Sequence, residues 1–216
     1  AHTETKAKSG LRFSIGSGLS WGNSRYNRSL LYEYSIPSHS WAIPSFSAFA
    51  ELQMSRRFSW LLSLSGSIGR DTYDTDQIDG KMREIDINLG GRILLNPEGA
   101  VKVSIVAIIV GNWYKRERSA ERKSYEDDEI EIEKSDLYEY GVGICLGIAF
   151  ERKLTDNLYL RFDTDLIEGM YSYGIMKNWT EAPDNPNEQI DKSRKPSRSM
   201  DARFTFRPTI SMRLVF

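Results

Sequence analysis

Four places in the chain hold residue types that chemistry uses. His39 lies between Ser38 and Ser40 in YSIPSHSWAIPSF (34–46). An imidazole beside hydroxyls is the raw material of a general base for acyl transfer. A histidine among prolines and aromatics also serves simply to pack a loop, and with no spaced triad beside it that is the reading preferred here. Asp163 and Asp165 alternate, so on a strand they share a face. They are a catalytic or metal pair, or else ion-pair partners of Arg161 and of Arg203 or Arg207; ion pairing is the expectation. Asp74, Asp76 and Asp79 in DTYDTDQIDG have the flavour of a calcium loop but lack the distal glutamate of an EF-hand. Cys145 is the single cysteine, which rules out an intrachain disulfide and argues against a cysteine-based metal site; it is expected to be an inert small residue. No catalytic, cofactor or metal site is therefore expected.

What must position these residues is a set of strands. Eight segments alternate with period two, the mark of strands with unlike faces. They are 11–21, 46–54, 58–69, 84–95, 101–113, 138–151, 158–166 and 202–216. In EIDINLGGRILL (84–95), Ile85, Ile87, Leu89 and Ile93 oppose Glu84, Asp86, Asn88 and Arg92. In ARFTFRPTISMRLVF (202–216), alternate positions are apolar while Arg203, Arg207 and Arg213 fall on the other face. The fifth segment breaks the rule, because Val106, Ile108 and Val110 stand on its polar face. Short turn-like links (55–57, 96–100, 151–157) alternate with long polar ones near 22–45, 70–83, 114–137 and 172–200. That is a meander with all its tight turns at one end. The acidic stretch 124–136 contains alternating Ile130 and Ile132 and is expected to extend a strand as a protruding hairpin.

The bulk numbers are compatible with this. The net charge is −1, from 29 basic and 30 acidic residues, which leaves no electrostatic footprint for nucleic acid. No stretch approaches the roughly 18 apolar residues of a membrane helix. Strands that cross a membrane hide their apolar residues by alternation and escape that test.

Three features place the polar face inside. It is rich in Gly and Ser, small enough for a crowded concave interior, while the apolar face carries bulky Leu, Ile, Phe and Trp. Its charges balance, seven of each sign: Arg12, Arg92, Lys102, Arg161, Arg203, Arg207 and Arg213 against Glu51, Glu84, Asp86, Glu139, Glu151, Asp163 and Asp165. Balance matters only where charge is shut away from water. Aromatics gather at segment ends, with Trp21, Trp113, Tyr138 and Tyr140 toward the long links and Phe58, Trp60, Phe150 and Phe216 toward the short ones. Such belts flank the hydrocarbon around a transmembrane barrel.

On these residues the chain resembles the small eight-stranded outer-membrane barrels, the OmpA transmembrane-domain and OmpX type, over essentially its whole length. The resemblance implies an all-β, eight-stranded antiparallel up-and-down transmembrane barrel with both termini periplasmic and long loops extracellular. A short tail (1–8) would precede one barrel domain (9–216). It also implies that Phe216, with Leu214 and Met212 at alternate positions before it, is the signal read by the barrel-assembly machinery. Pro208 inside the last strand departs from the pattern by removing a ladder donor. No periplasmic peptidoglycan-binding domain is expected after Phe216.

The expected location is the bacterial outer membrane, among its lipids and lipopolysaccharide. The leading functional expectation is a non-enzymatic anchor whose loops bind a partner: an outer-membrane subunit, a surface or a ligand. Tyr32, Tyr34, His39, Trp41 and Trp179 are the candidate loop contacts. A lipid-modifying acyltransferase or deacylase using His39 and a narrow channel are the alternatives. With eight strands the lumen should be filled by the paired charges.

Overall fold

The computed structural model describes residues 11–20, 44–73, 78–123, 130–182 and 185–216. Eight strands run in chain order: β1 Arg12–Ser20, β2 Ser45–Gln53, β3 Phe58–Tyr73, β4 Ile78–Leu94, β5 Val101–Lys123, β6 Ile130–Lys153, β7 Leu158–Ala182 and β8 Asn185–Val215. Each pairs antiparallel with the next, and β8 returns to β1, closing the barrel. Closure leaves no open edge along the shared height of the eight strands, which is what lipid demands of a sheet.

The alternation sets the orientation. Along β4, Glu84, Asp86, Asn88 and Arg92 are buried while Ile85, Ile87, Leu89 and Ile93 are exposed. The same inversion holds round the ring, with Ile15, Phe46, Leu64, Ile109, Ile144, Leu160 and Ile210 all facing out. An exposed apolar surface on this scale is unsustainable in water and is the natural face toward acyl chains. On β5 the outward run from Val101 to Trp113 spans about 30 Å along the barrel axis, for strands tilted by about 40°. That matches a hydrocarbon core.

Tight turns close the short-link end. Ser55 Oγ accepts the Phe58 backbone N–H at 3.0 Å, Asn96 Nδ2 donates to the Val101 carbonyl at 2.8 Å, and Thr155 Oγ1 accepts from Leu158 N at 3.2 Å. Here Ser, Asn and Thr use short polar side chains to satisfy the backbone of a reversal.

The other end departs from the sequence expectation. The links expected near 70–83, 114–137 and 172–200 are mostly strand; the strand extension expected at 124–136 holds for its described part, 130–136, which belongs to β6, while 124–129 lie outside the described residues. β5 and β6 pair as far as Lys123↔Ile130, and β7 and β8 as far as Ala182↔Asn185. Strand length climbs round the ring from 9 residues in β1 and β2 to 31 in β8. Among the described residues the barrel therefore carries a tall sheet made from β3 to β8. Above the apolar band both faces of a strand are wet, so period-two patterning is no longer needed and strand looks like loop.

A second departure lies in β7. The register slips between Asp165 and Ile167, so that Leu166 and the adjacent Ile167 both face out. Such a bulge reverses the parity of everything after it. Glu168, Met170 and Ser172 turn inward and are buried. Pro208 sits beside this irregularity, one residue past the last β1 pair (Ser20↔Thr209).

Candidate functional site

The lumen is the one place where the described residues concentrate chemistry. Its wall is made as tight as it is by glycine. A Cβ at Gly143 would collide with the Met170 sulfur and the Gly169 carbonyl, and one at Gly147 would stand 2.6 Å from the Thr164 carbonyl. These inward positions tolerate no side chain, which leaves the space to long charged groups from other strands.

Toward the short turns those groups form one ion cluster. Glu51 on β2 is the hub, with Arg92 at 3.1 Å, Arg213 at 3.2 Å and Arg161 at 3.4 Å. Glu151 on β6 pairs with Arg92 at 3.0 Å and with Arg213 at 2.7 Å, and Arg161 holds Asp163 at 2.6 Å. Three arginines meet three carboxylates from five strands, and Glu51 and Glu151 are each only 1% exposed. In so dry a place the pairs are sustained by mutual compensation, and removing one partner strands the rest. The Arg213 guanidinium also lies 4.9 Å from the Tyr159 ring, and Arg161 lies 5.4 Å from Phe49.

Above this cluster the lumen becomes apolar. Leu61, Val106 and Ala149 pack together, joined by Phe49 and Ile108. Higher still Met82, Val110, Tyr114, Cys145 and Met170 form a second knot. Val106, Ile108 and Val110, the three misfits of the fifth segment, are therefore a filling for the barrel's waist. A cavity of about 110 Å³ remains between them, walled by Ser63, Ser65, Asn88 and Ser211 and by Arg161, Asp165 and Arg207. It has room for a few waters.

The upper lumen is acidic. Asn112 Nδ2 donates to Glu84 at 3.1 Å and also to Asp86, while Ser67 and Ser65 donate to the same two carboxylates. Arg207 Nη1 reaches across to Asp86 at 3.5 Å. Glu139 is buried near Ser172. Cys145, Asp165 and Glu168 bring one sulfur and two carboxylates within 4.8 Å of one another, a mixed donor set. Each of the three already has an interaction of its own.

Several expected positions differ. Arg12 is exposed at the rim and takes no part in an ion pair among the described residues, because β1 ends there. Lys102 is only half-buried and lies over the Tyr159 ring at 5.3 Å. Asp163 pairs with Arg161 as expected, whereas Arg207 reaches Asp86 on the far side of the barrel. Arg203 faces Glu168 in the backbone register. Glu168 was missed by sequence reasoning; the adjacent apolar pair Leu166–Ile167 is the mark that would have found it. Tyr32, Tyr34, His39, Trp41, Asp74 and Asp76 lie outside the described residues. Trp179 is half-buried on β7, well above the apolar band.

The outer surface at the last turn of β8 is orderly. Met212, Leu214 and Phe216 all face out, the Phe216 N–H donates to the Phe13 carbonyl at 2.9 Å, and the two rings stack at 6.4 Å.

The chain matches no family model and no curated protein. Among solved structures, a major outer membrane protein from Thermus thermophilus aligns over 96% of this chain and 100% of its own, with TM-score 0.51 at 11% identity. The fold is that of a small outer-membrane β-barrel. Ail, the attachment invasion locus protein of Yersinia pestis, aligns over 97% and 100% of the two chains with TM-score 0.42 at 11% identity. Acinetobacter baumannii CarO aligns over 93% and 97% with TM-score 0.38 at 10% identity. At these identities the likeness concerns the fold.

Proposed function

We propose that this outer-membrane barrel is a non-enzymatic anchor whose tall sheet and connecting segments face outside and bind a macromolecular partner. The observation that carries the reading is the continuation of β5 to β8 far beyond the apolar band. Strand pairing out there serves no membrane purpose, and a rigid exposed sheet is a good platform for recognition. The filled waist of the lumen speaks against a through-channel, since apolar knots and an ion cluster occupy it in series. The outward Met212, Leu214 and Phe216 fit recognition by the assembly machinery during insertion.

The test is site-specific photo-crosslinking on intact cells from Trp179 and from Lys134, both on the tall sheet. A discrete adduct from both positions is the expected result, and the one from Trp179 should be lost when residues 117–136, between the membrane halves of β5 and β6, are excised. Loss should occur without loss of the gel mobility shift on boiling that reports a folded barrel. Absence of any adduct from every sheet position would sink the reading. A changed lipid profile in a His39→Ala strain would replace it with the enzymatic one.

A further inference from the structure

The boundary between apolar band and tall sheet has a chemistry of its own. Following the outward positions upward on β4 to β8, the apolar run of each of these five strands ends on charge. On β4, Ile87 and Ile85 give way to Arg83 and Lys81; on β5, Ile109 and Trp113 give way to Lys115. On β7, Tyr171, Tyr173 and Ile175 precede Lys177, and on β8, Phe204 and Met200 precede Arg198 and Arg194. On β6, Tyr140 is followed by Tyr138 and then Asp136. The register joins these into a surface: Ile85↔Trp113↔Tyr140↔Tyr173 make an aromatic row, and Arg83↔Lys115↔Tyr138 lie just above it. Six cations stand against the carboxylates of Glu117 and Asp136.

The centre of this surface is a built arrangement. The ammonium groups of Lys115 and Lys177, from the strands on either side, lie 5.2 Å and 5.4 Å from the centroid of the Tyr138 ring. Tyr138 Oη donates to Asp136 at 3.3 Å, and Lys115 bonds Glu117. That bond holds the Lys115 ammonium above its ordinary pKa, so it stays charged. Two cations gathered on one ring repel each other, and in the register Arg83 stands opposite Lys115 and Arg194 opposite Lys177. An anion placed among them would relieve that repulsion.

The height of the site says which anion. It stands directly on the aromatic row and on the exposed apolar band, so a ligand that met the cations would also meet hydrocarbon-facing surface. Lysine stems lie along such surface while their heads reach the phosphate layer. We propose that Lys115 and Lys177, flanking Tyr138 and backed by Arg83 and Arg194, bind the phosphate of a phosphorylated lipid headgroup in the leaflet at the tall-sheet end. The site depends on the barrel's seat in the bilayer and is independent of what the sheet above it binds. A phosphomonoester suits it best, since that group carries about −1.5 to −2 charge at neutral pH.

The experiment uses the whole barrel, stripped of lipid in an uncharged maltoside detergent and titrated with phosphatidic acid under native mass spectrometry. Wild type should retain this lipid in preference to phosphatidylcholine of the same chains. Lys115→Gln with Lys177→Gln should weaken retention about 30-fold, the effect of two lysines at an anionic surface. Lys115→Arg with Lys177→Arg should keep it, and Arg152→Gln with Lys153→Gln at the opposite end should leave it unchanged. Equal retention of phosphatidylcholine, or an equal loss in the opposite-end variant, overturns the proposal. Complete displacement by inorganic phosphate would assign the site to a free anion instead. Should the glutamine variant not fold, wild-type retention must still fall between about 50 mM and about 500 mM salt, and insensitivity overturns the proposal.

Discussion

The same strands obey two different codes at their two ends. Within the bilayer-spanning half, every residue's face has consequences: Ile144 looks out at lipid while Cys145, its neighbour, is 1% exposed. In the tall sheet the distinction fades, and Lys134, Ser135 and Asp136 are all half-buried alike. One half is specified by burial, the other by backbone pairing alone. Pairing suffices there because each upper strand continues a ladder already nucleated in the membrane half, where loop-closure entropy has been met.

That contrast can be broken from the inside first. Glu51→Leu should be the most damaging single change, since it leaves Arg92, Arg161 and Arg213 sharing too few carboxylates. We expect a loss of about 3–5 kcal/mol in denaturant unfolding from vesicles, or failure to give the heat-modifiable band. Ile144→Arg places a charge toward lipid and should cost about 2–4 kcal/mol if it lies near the midplane. A smaller value measured by the same titration would move Ile144 toward an interface and revise the barrel's depth. Gly143→Ala puts a Cβ against Met170 and the opposing backbone, and about 1–3 kcal/mol of destabilisation should follow. At the small end, Arg194→Ser in the tall sheet should change stability by no more than about 0.5 kcal/mol. A large effect there would mean the sheet is a structural member of the barrel, and the division into two codes would fail.

Legibility in the sequence divides along the same line. Glu84 to Ile93 alternate so regularly that their faces could be assigned from sequence, because lipid on one side and a packed lumen on the other both enforce the period. Strand extensions such as 116–119 were invisible because both of their faces are half-buried alike. The β7 bulge was missed for a different reason: it changes parity by one residue, and Leu166–Ile167 looks like an ordinary strand end until Tyr171 and Tyr173 are seen to continue outward. Val106, Ile108 and Val110 were visible as an anomaly. Their partners Leu61 and Ala149 come from strands distant in sequence, and no local pattern names them. The hub role of Glu51 was equally hidden, since a count of charges gives balance but no geometry.

The unequal strand lengths also have a mechanical side. The β7–β8 ladder runs from Leu158↔Leu214 to Ala182↔Asn185, whereas the β1–β8 seam runs only from Ser14↔Val215 to Ser20↔Thr209. Lateral load caught by the tall sheet is carried to the membrane half as torque, and the β1–β8 ladder, the shortest among the described residues, bears it with the fewest hydrogen bonds. The ion cluster spans that weak side, tying β8 through Arg213 to β2 through Glu51 across the lumen. It acts as an internal cross-brace, bolting the ring where its own stitching is briefest.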